Sequence, residues 1–371
     1  MENRFITVAA PVLEGNEKLY VMDCLESTWI SSTGKYIKRF EDAFADFCQV
    51  KHAVSCSNGT TALHLALMAL GVAPGDEVIV PTLTFVATAN AVTFCGGQPI
   101  FVDADQETWN IDPSRIEEKI TPRTKGIIVV HLFGYPVNMD PVLAIARRRG
   151  LFVLEDAAQA HGAEYKGQRV GSLGDIATFS FFGNKIVSTG EGGMVVTNDS
   201  DMAAKINLLK NHGMDPNRRY WHAIIGYNYR MTNVAAAIGL AQIEKVDWQL
   251  ARRREVVSRY QEVLAGVEGL TWQIEKGWAK HVWWMFSVIV ANTYTVSRDE
   301  IIARMQVRGI ETRPVVYPLH QLPPYAASVA GQEFPIANGI ASRGINLPTW
   351  AGLKREDVDF VCEQLIECLG Y

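Results

Sequence analysis

No run of this sequence stays apolar for the roughly 20 residues that a membrane-spanning helix needs; polar residues break every longer hydrophobic stretch well before that. The opening, Asn3-Arg4-Phe5-Ile6, leads straight into a strand-like run and lacks the apolar core of a signal peptide. There is no block of lysines and arginines, and the net charge is −5. That balance argues against nucleic acid or an anionic membrane as the main partner. None of the six cysteines, Cys24, Cys48, Cys56, Cys95, Cys362 and Cys368, forms a CxxC pair. Most have apolar neighbours, so they read as structural thiols of a reducing cytoplasm rather than as disulfides or metal ligands. No GxGxxG opens a helix after the first strand, which leaves a dinucleotide-binding fold unsupported. Repeats, low-complexity tracts and long Gly/Ser linkers are also missing.

What is present is a chain of 371 residues, 48% hydrophobic and 20% charged, long enough for one large domain and a smaller one. Short apolar runs at 53–56, 76–81, 100–102, 126–131, 151–154, 177–182 and 194–197 read as strands. Helical patterns at 14–27, 35–47, 62–70, 114–120, 140–148, 201–211 and 235–246 fall between and around them. Such alternation predicts an α/β fold, with a large, mostly parallel (mixed) sheet flanked by helices. A polar helix at 249–264 then leads to strand runs at 283–290 and 311–316 and helices at 298–308 and 355–369. These predict a smaller C-terminal α+β domain over 251–371, following a large domain over 1–250.

The chemistry concentrates between residues 150 and 198. One apolar run stops at two carboxylates, Glu155 and Asp156, and another leads into Gly183-Asn184-Lys185. The third follows Gly190-Glu191-Gly192-Gly193, where glycine lets backbone come close to a ligand. An acid and a lysine delivered at strand ends suit an aldehyde cofactor, which needs an amine for its imine and a carboxylate to keep its ring nitrogen protonated. Taken alone, each could be a surface lysine or a helix-capping aspartate. Ser57-Asn58-Gly59-Thr60-Thr61 opens a helix whose free N–H groups and dipole suit a phosphate; the same residues also make an ordinary N-cap. Phe85 at a strand end is either core or a ring cover, and His131 reads as structural. Trp29, beside Ser31 and Ser32, either staples a loop to the core or faces a ligand. Arg313 is a substrate contact or a surface charge.

The segments EDAAQAHGA, TFSFFGNK and GEGGMVVTN resemble the sugar-aminotransferase branch of the fold-type I pyridoxal phosphate enzymes (DegT/DnrJ/EryC1/StrS-like). The resemblance extends from TWISSTGKYI through SNGTTALHLAL and MDPNRRYWHAIIGYNYRMTN to GINLP, essentially the whole chain. It implies pyridoxal 5′-phosphate on Lys185, with Asp156 at the ring nitrogen, Gln159 at the phenolic oxygen and Phe85 over the ring. Gly59, Thr60 and Ser180 would hold the phosphate together with Asn228 of a second subunit, in a homodimer with shared sites and no metal. Trp29, Ser31, Ser32, Arg219, Tyr220, Arg313, Tyr317 and His320 would face the substrate.

The resemblance further implies L-glutamate as amino donor and a nucleotide-linked 4-keto-6-deoxy sugar as acceptor, in cytoplasmic synthesis of a surface polysaccharide. Segments 215–233 and 314–325 look most like the GDP-linked branch. One departure stands out: a glutamate is usual in that branch where this chain has Gln159. Enzymes acting on UDP- or dTDP-linked sugars, and a non-catalytic sensor of the same ligands, are the alternatives. A sugar dehydratase of this family typically replaces the lysine by histidine, and Lys185 speaks against it.

Overall fold

Alternate residues of a strand face opposite ways, and here both faces are apolar. Val78, Val80, Ile128 and Leu154 enter one core, while Ile79, Ile127, Val129 and Val153 enter another. Strands of this kind need cover on both sides, and the intervening helices provide it. The computed structural model describes residues 5–370; Asn3 and Arg4 of the opening run lie outside them.

Helices α1 (Glu17–Glu26) and α2 (Lys35–Cys48) precede β1 (His52–Cys56), α3 (Gly59–Ala69), β2 (Glu77–Pro81), α4 (Ala87–Phe94) and β3 (Gln98–Val102). Next come β4 (Thr124–Val130), α5 (Met139–Arg149), β5 (Phe152–Asp156) and a ribbon of β6 (Glu164–Tyr165) and β7 (Gln168–Arg169). Then follow β8 (Ile176–Ser180), β9 (Gly193–Thr197), α6 (Ser200–Lys210), α7 (Asn233–Glu244) and α8 (Val246–Leu264). The remainder carries β10 (Leu270–Thr271), β11 (Ala279–Lys280), β12 (Phe286–Val290), α9 (Arg298–Val307) and β13 (Arg313–Pro314). It ends with α10 (Pro323–Ala326), α11 (Pro335–Arg343), β14 (Gly344–Leu347) and α12 (Arg355–Leu369).

The large sheet has the order β1-β9-β8-β5-β4-β2-β3. From β8 to β3 every pairing is parallel, and β9 runs antiparallel to both neighbours. The sheet is therefore mixed and mostly parallel, as expected. Its topology gathers one edge: β5 ends at Asp156, β8 ends at Ser180 opposite Gly193, and β1 ends at Cys56, also opposite Gly193. The start of α3 thus lies beside the ends of β5 and β8.

A second sheet, β10-β12-β14-β13, packs against α8, α9 and α12 in a core of its own. The start of the chain is laced into that part: Ile6 N–H donates to Gly309 O at 2.8 Å, and Thr349 N–H to Val8 O at 2.9 Å. Helix α8 runs unbroken across residues 250 and 251. Among the described residues no helix is long and apolar enough to cross a membrane, and all six cysteines are free thiols.

Several sequence expectations shift. The helix expected at 114–120 is two 3-10 turns, Pro113–Arg115 and Glu117–Lys119. Glu155 and Asp156 belong to β5 rather than following it. The strand expected at 311–316 shrinks to two residues, and α4 and α11 are helices that the pattern did not suggest.

The contact of α2 with α7 depends on Gly239, where an added Cβ would lie 2.6 Å from the ring of Phe40. Phe40 is fully buried against Phe44 and Phe181 and has nowhere to turn. Gly239→Val should cost stability at the upper end of the roughly 1–3 kcal/mol of overpacked cores. A lowered thermal midpoint of the variant checks this.

Candidate active site

The two adjacent carboxylates at the end of β5 face opposite ways and have separate tasks. Glu155, fully buried, accepts the N–H groups of Gly171 (2.9 Å), Leu173 (2.8 Å) and Gly174 (2.8 Å). It also lies 3.0 Å from His131 Nε2. Since His131 Nδ1 accepts from Val137 N–H at 3.0 Å, Nε2 carries the proton and donates to Glu155. Both ring nitrogens of His131 are thus engaged in structure.

Asp156 faces the sheet edge. Its Oδ2 accepts from the Thr88 hydroxyl at 2.8 Å, and its Oδ1 from Ala158 N–H at 3.2 Å. Burial raises its pKa, and its neutral donors and the charge of Lys185 only partly offset that. Lys185 shows the converse: desolvation lowers its amine to about 7, against the pull of Asp156. Each residue feels the other's charge, so the structure brings this pair together.

Trp284, which no motif marks out, lies over the lysine, with Nζ 3.8 Å from its ring centroid. Its indole N–H donates to Asn184 O at 2.8 Å, beside Lys185 in the chain, and its ring stacks on Phe133. Phe133 has a positive φ of 55°, a strained backbone of the kind found at functional sites. Its N–H donates to Gln159 Oε1 at 2.7 Å. Fixing the oxygen of that amide leaves the other half to act as a donor.

The start of α3 is open. Asn58 Oδ1 accepts from Thr61 N–H at 2.9 Å, and Thr61 Oγ1 accepts from Asn58 N–H at 3.1 Å, which completes a capping box. Among the described residues no acceptor takes the N–H of Gly59 or Thr60. Ser180 stands opposite, and a Cβ on Gly59 would lie 2.7 Å from the Ser180 Cβ. Two free N–H groups, a hydroxyl and a helix dipole suit a phosphate. Phe85, 59% exposed, begins the turn whose next residues carry Thr88, and Thr88 N–H donates to Phe85 O. An exposed ring, a buried acid hydrogen-bonded to neutral donors and a lysine amine lowered to about 7 suit a flat, protonated pyridine carrying an aldehyde.

The expected substrate residues are scattered. Trp29 and Ser31 are exposed on the loop before α2, and Ser32 is half-buried there. Arg219 and Tyr220 are exposed and stack on one another, with the guanidinium 4.9 Å from the ring centroid. Arg313 pairs with Glu311 at 2.7 Å, and Tyr317 is exposed near Arg298. His320 reaches Thr82 Oγ1 (2.7 Å) and Asn338 Oδ1 (2.9 Å) and stacks on Phe334. Asn228 is exposed, its Oδ1 held by Arg230 at 2.9 Å.

A desolvated lysine beside a buried acid at the edge of an α/β sheet suits pyridoxal 5′-phosphate, and the chain is one of the fold-type I enzymes that use it. More closely, it belongs to the DegT/DnrJ/EryC1/StrS aminotransferase family, whose sequence model matches residues 11–366. It is 54% identical over 365 residues to a GDP-perosamine synthase of Caulobacter vibrioides, covering 98% of each chain. To the GDP-perosamine synthase of Escherichia coli O157:H7 it is 48% identical, again over 98% of both chains. Its fold matches the crystal structure of S. venezuelae DesV with a TM-score of 0.90 at 34% identity, over 96% of this chain and 95% of that one.

The lowered lysine makes a direct prediction. In the cofactor-free protein the Lys185 amine becomes reactive as the pH rises through about 7, whereas exposed lysines with pKa values near about 10.4 stay protonated. Trace labelling with an amine-directed reagent near neutral pH, followed by peptide mapping, should therefore mark Lys185 first. Since Asp156 raises the lysine pKa, Asp156→Asn should move this reactivity to lower pH.

Proposed function

We propose that this protein moves the amino group of L-glutamate to the C4 keto group of GDP-4-keto-6-deoxy-D-mannose, making GDP-perosamine. The setting would be cytoplasmic synthesis of O-antigen or another surface polysaccharide. The observation that carries this reading is the near full-length identity of 54% to a GDP-perosamine synthase. Residues 1–250 would form the cofactor domain and 251–371 the smaller domain, with α8 spanning the division.

When bound, the pyridoxal ring supplies an electron sink for the pair released at the substrate carbon. The chain's own residues do the rest. Asp156 holds a proton on the ring nitrogen, and burial sharpens that interaction by removing competing water. Gln159, its oxygen fixed by Phe133, donates to the phenolic oxygen. Gly59 and Thr60 N–H groups and the Ser180 hydroxyl hold the phosphate, and Phe85 covers the ring. Lys185 Nζ, neutral near physiological pH because it is desolvated, takes the proton from the α carbon of glutamate.

Lys185→Ala should abolish turnover while leaving the fold intact, as circular dichroism and product analysis would show. Asp156→Asn should retain cofactor yet lose activity by about 10²–10³-fold, the scale of removing one preorganised electrostatic partner. Offering GDP-, UDP- and dTDP-linked 4-keto sugars with L-glutamate tests the substrate. The reading requires the GDP sugar to be aminated at C4 in clear preference to the others.

We also propose a homodimer with shared sites. Asn228 is exposed, bridged to Asn211 through its backbone, with its side-chain oxygen held by Arg230. Nearby, Tyr220, Trp221 and Ile225 leave large apolar surfaces in solvent. Asn228 of a second copy would then complete each phosphate seat, through an interface that is the same for both subunits. Lys185→Ala and Asn228→Ala, both impaired alone, should recover up to about a quarter of wild-type activity after subunit exchange, by statistical mixing of symmetric dimers. Exchange without recovery would remove Asn228 from the shared site.

A further inference from the structure

Asn233, the first residue of α7, is 1% exposed, and every polar group it presents toward the loop before α2 is used. Its backbone N–H donates to Ser31 O at 2.6 Å. Its side-chain Nδ2 donates to Trp29 O at 2.7 Å and to Cys24 Sγ at 3.2 Å. Its Oδ1 accepts the Tyr36 N–H, in the first turn of α2, at 3.0 Å. Helix α2 needs this help, because its own N-cap residue is Gly34, which has no side chain to offer.

Gly34 is also what admits the amide. It holds a φ of +149°, and a Cβ there would come within 2.3–2.6 Å of the Asn233 carboxamide atoms. One residue of α7 thus caps α2 and ties down Trp29 O through its side chain and Ser31 O through its backbone N–H. The same loop leaves Trp29 57% and Ile30 51% exposed. A large ring held out by a backbone fixed at both sides is a presented group, not a frayed one.

We infer that Asn233 is a positioning residue that sets the Trp29–Ser32 loop for the nucleotide-sugar acceptor, without acting on the glutamate half of the reaction. This rests on the proposed sugar substrate and on the reading, implied by the family resemblance, that Trp29, Ser31 and Ser32 face it. Asn233→Asp separates the two roles. The carboxylate still accepts the Tyr36 N–H, but it has no donor for Trp29 O or Cys24 and sets oxygen against oxygen.

In the cofactor-loaded variant, amide hydrogen exchange should quicken in residues 28–33 and stay at the wild-type rate in the first turns of α2. The KM for the keto sugar should rise roughly tenfold, within the range in which small misplacements impair a site. The rate at which L-glutamate changes the cofactor's absorbance should not move. Wild-type exchange in residues 28–33 would overturn the inference. So would an unchanged KM, if Trp29→Ala measured alongside does raise it. If Trp29→Ala itself leaves KM unchanged, the loop does not face the sugar, and the inference falls with that reading. Asn233→Gln, which keeps both amide groups on a longer stem, should recover part of the wild-type KM if the hydrogen bonds matter rather than the volume; no recovery would count against the inference.

Discussion

The site depends on a lysine amine held where water cannot fully solvate it. An ammonium in bulk water is too stable to act as a base near neutral pH, and desolvation removes that stability. Lys185 accordingly falls to about 7, and Asp156 is pushed in the opposite direction by the same burial. Left alone, each group is driven toward its neutral form. Under the proposed function, a protonated ring beside Asp156 and a phosphate over the start of α3 would supply the opposing charges. The acid–lysine pair and the open start of α3 are thus two halves that suit the two ends of such a cofactor.

Topology puts those halves side by side. Because β9 is antiparallel to both β1 and β8, Gly193 sits opposite Cys56 on one side and Ser180 on the other. Any side chain at residue 193 would strike Asn58 O, at 2.3 Å from an added Cβ. The close approach that brings the start of α3 to β8, the strand before Lys185, therefore requires glycine there. On β5 the two-residue period sends Glu155 into a cage of three backbone N–H groups and His131, while Asp156 faces Thr88 and Lys185. Glu155 fixes the strand end from behind, and Asp156 can then be placed without rearranging.

Much of this was legible in the sequence, because it is written locally. Apolar runs ending in acid, glycine and lysine gave the sheet edge, and their order gave the α/β class. The small polar residues before α3 gave a helix start with N–H groups to spare. Less legible was anything set by contacts between distant segments. The 114–120 stretch has helical periodicity, but Pro113 and the Asp112 cap close it into tight turns instead. Thr88 and Trp284 carry no motif; they matter because one reaches Asp156 and the other covers Lys185. The sequence could not show that His320 and Arg313, expected by resemblance to face the substrate, have the partners Thr82, Asn338 and Glu311. Nor could composition show that Ile6 belongs with the core of residues far along the chain.

The position of Trp284 leads to one more step. It is held by the backbone of Phe133, by Asn184 O and, through its own carbonyl, by Arg253. Arg253 is fully buried and among the described residues has no carboxylate to pair with; its Nη1 donates to Trp284 O at 3.2 Å and to Thr349 O at 2.8 Å. Desolvation lowers its pKa to about 10, which still leaves it charged at neutral pH. A buried cation is tolerable only while such acceptors stay in place, so it binds α8, the Trp283–Trp284 turn and the segment after β14 into one arrangement. The shelter over Lys185 is thus assembled across the contact between the two cores rather than within the large sheet. It follows that the basicity of the lysine belongs to the docked chain as a whole. Any change that loosens this contact should raise the lysine pKa by letting water in, before it disturbs a single residue that touches substrate.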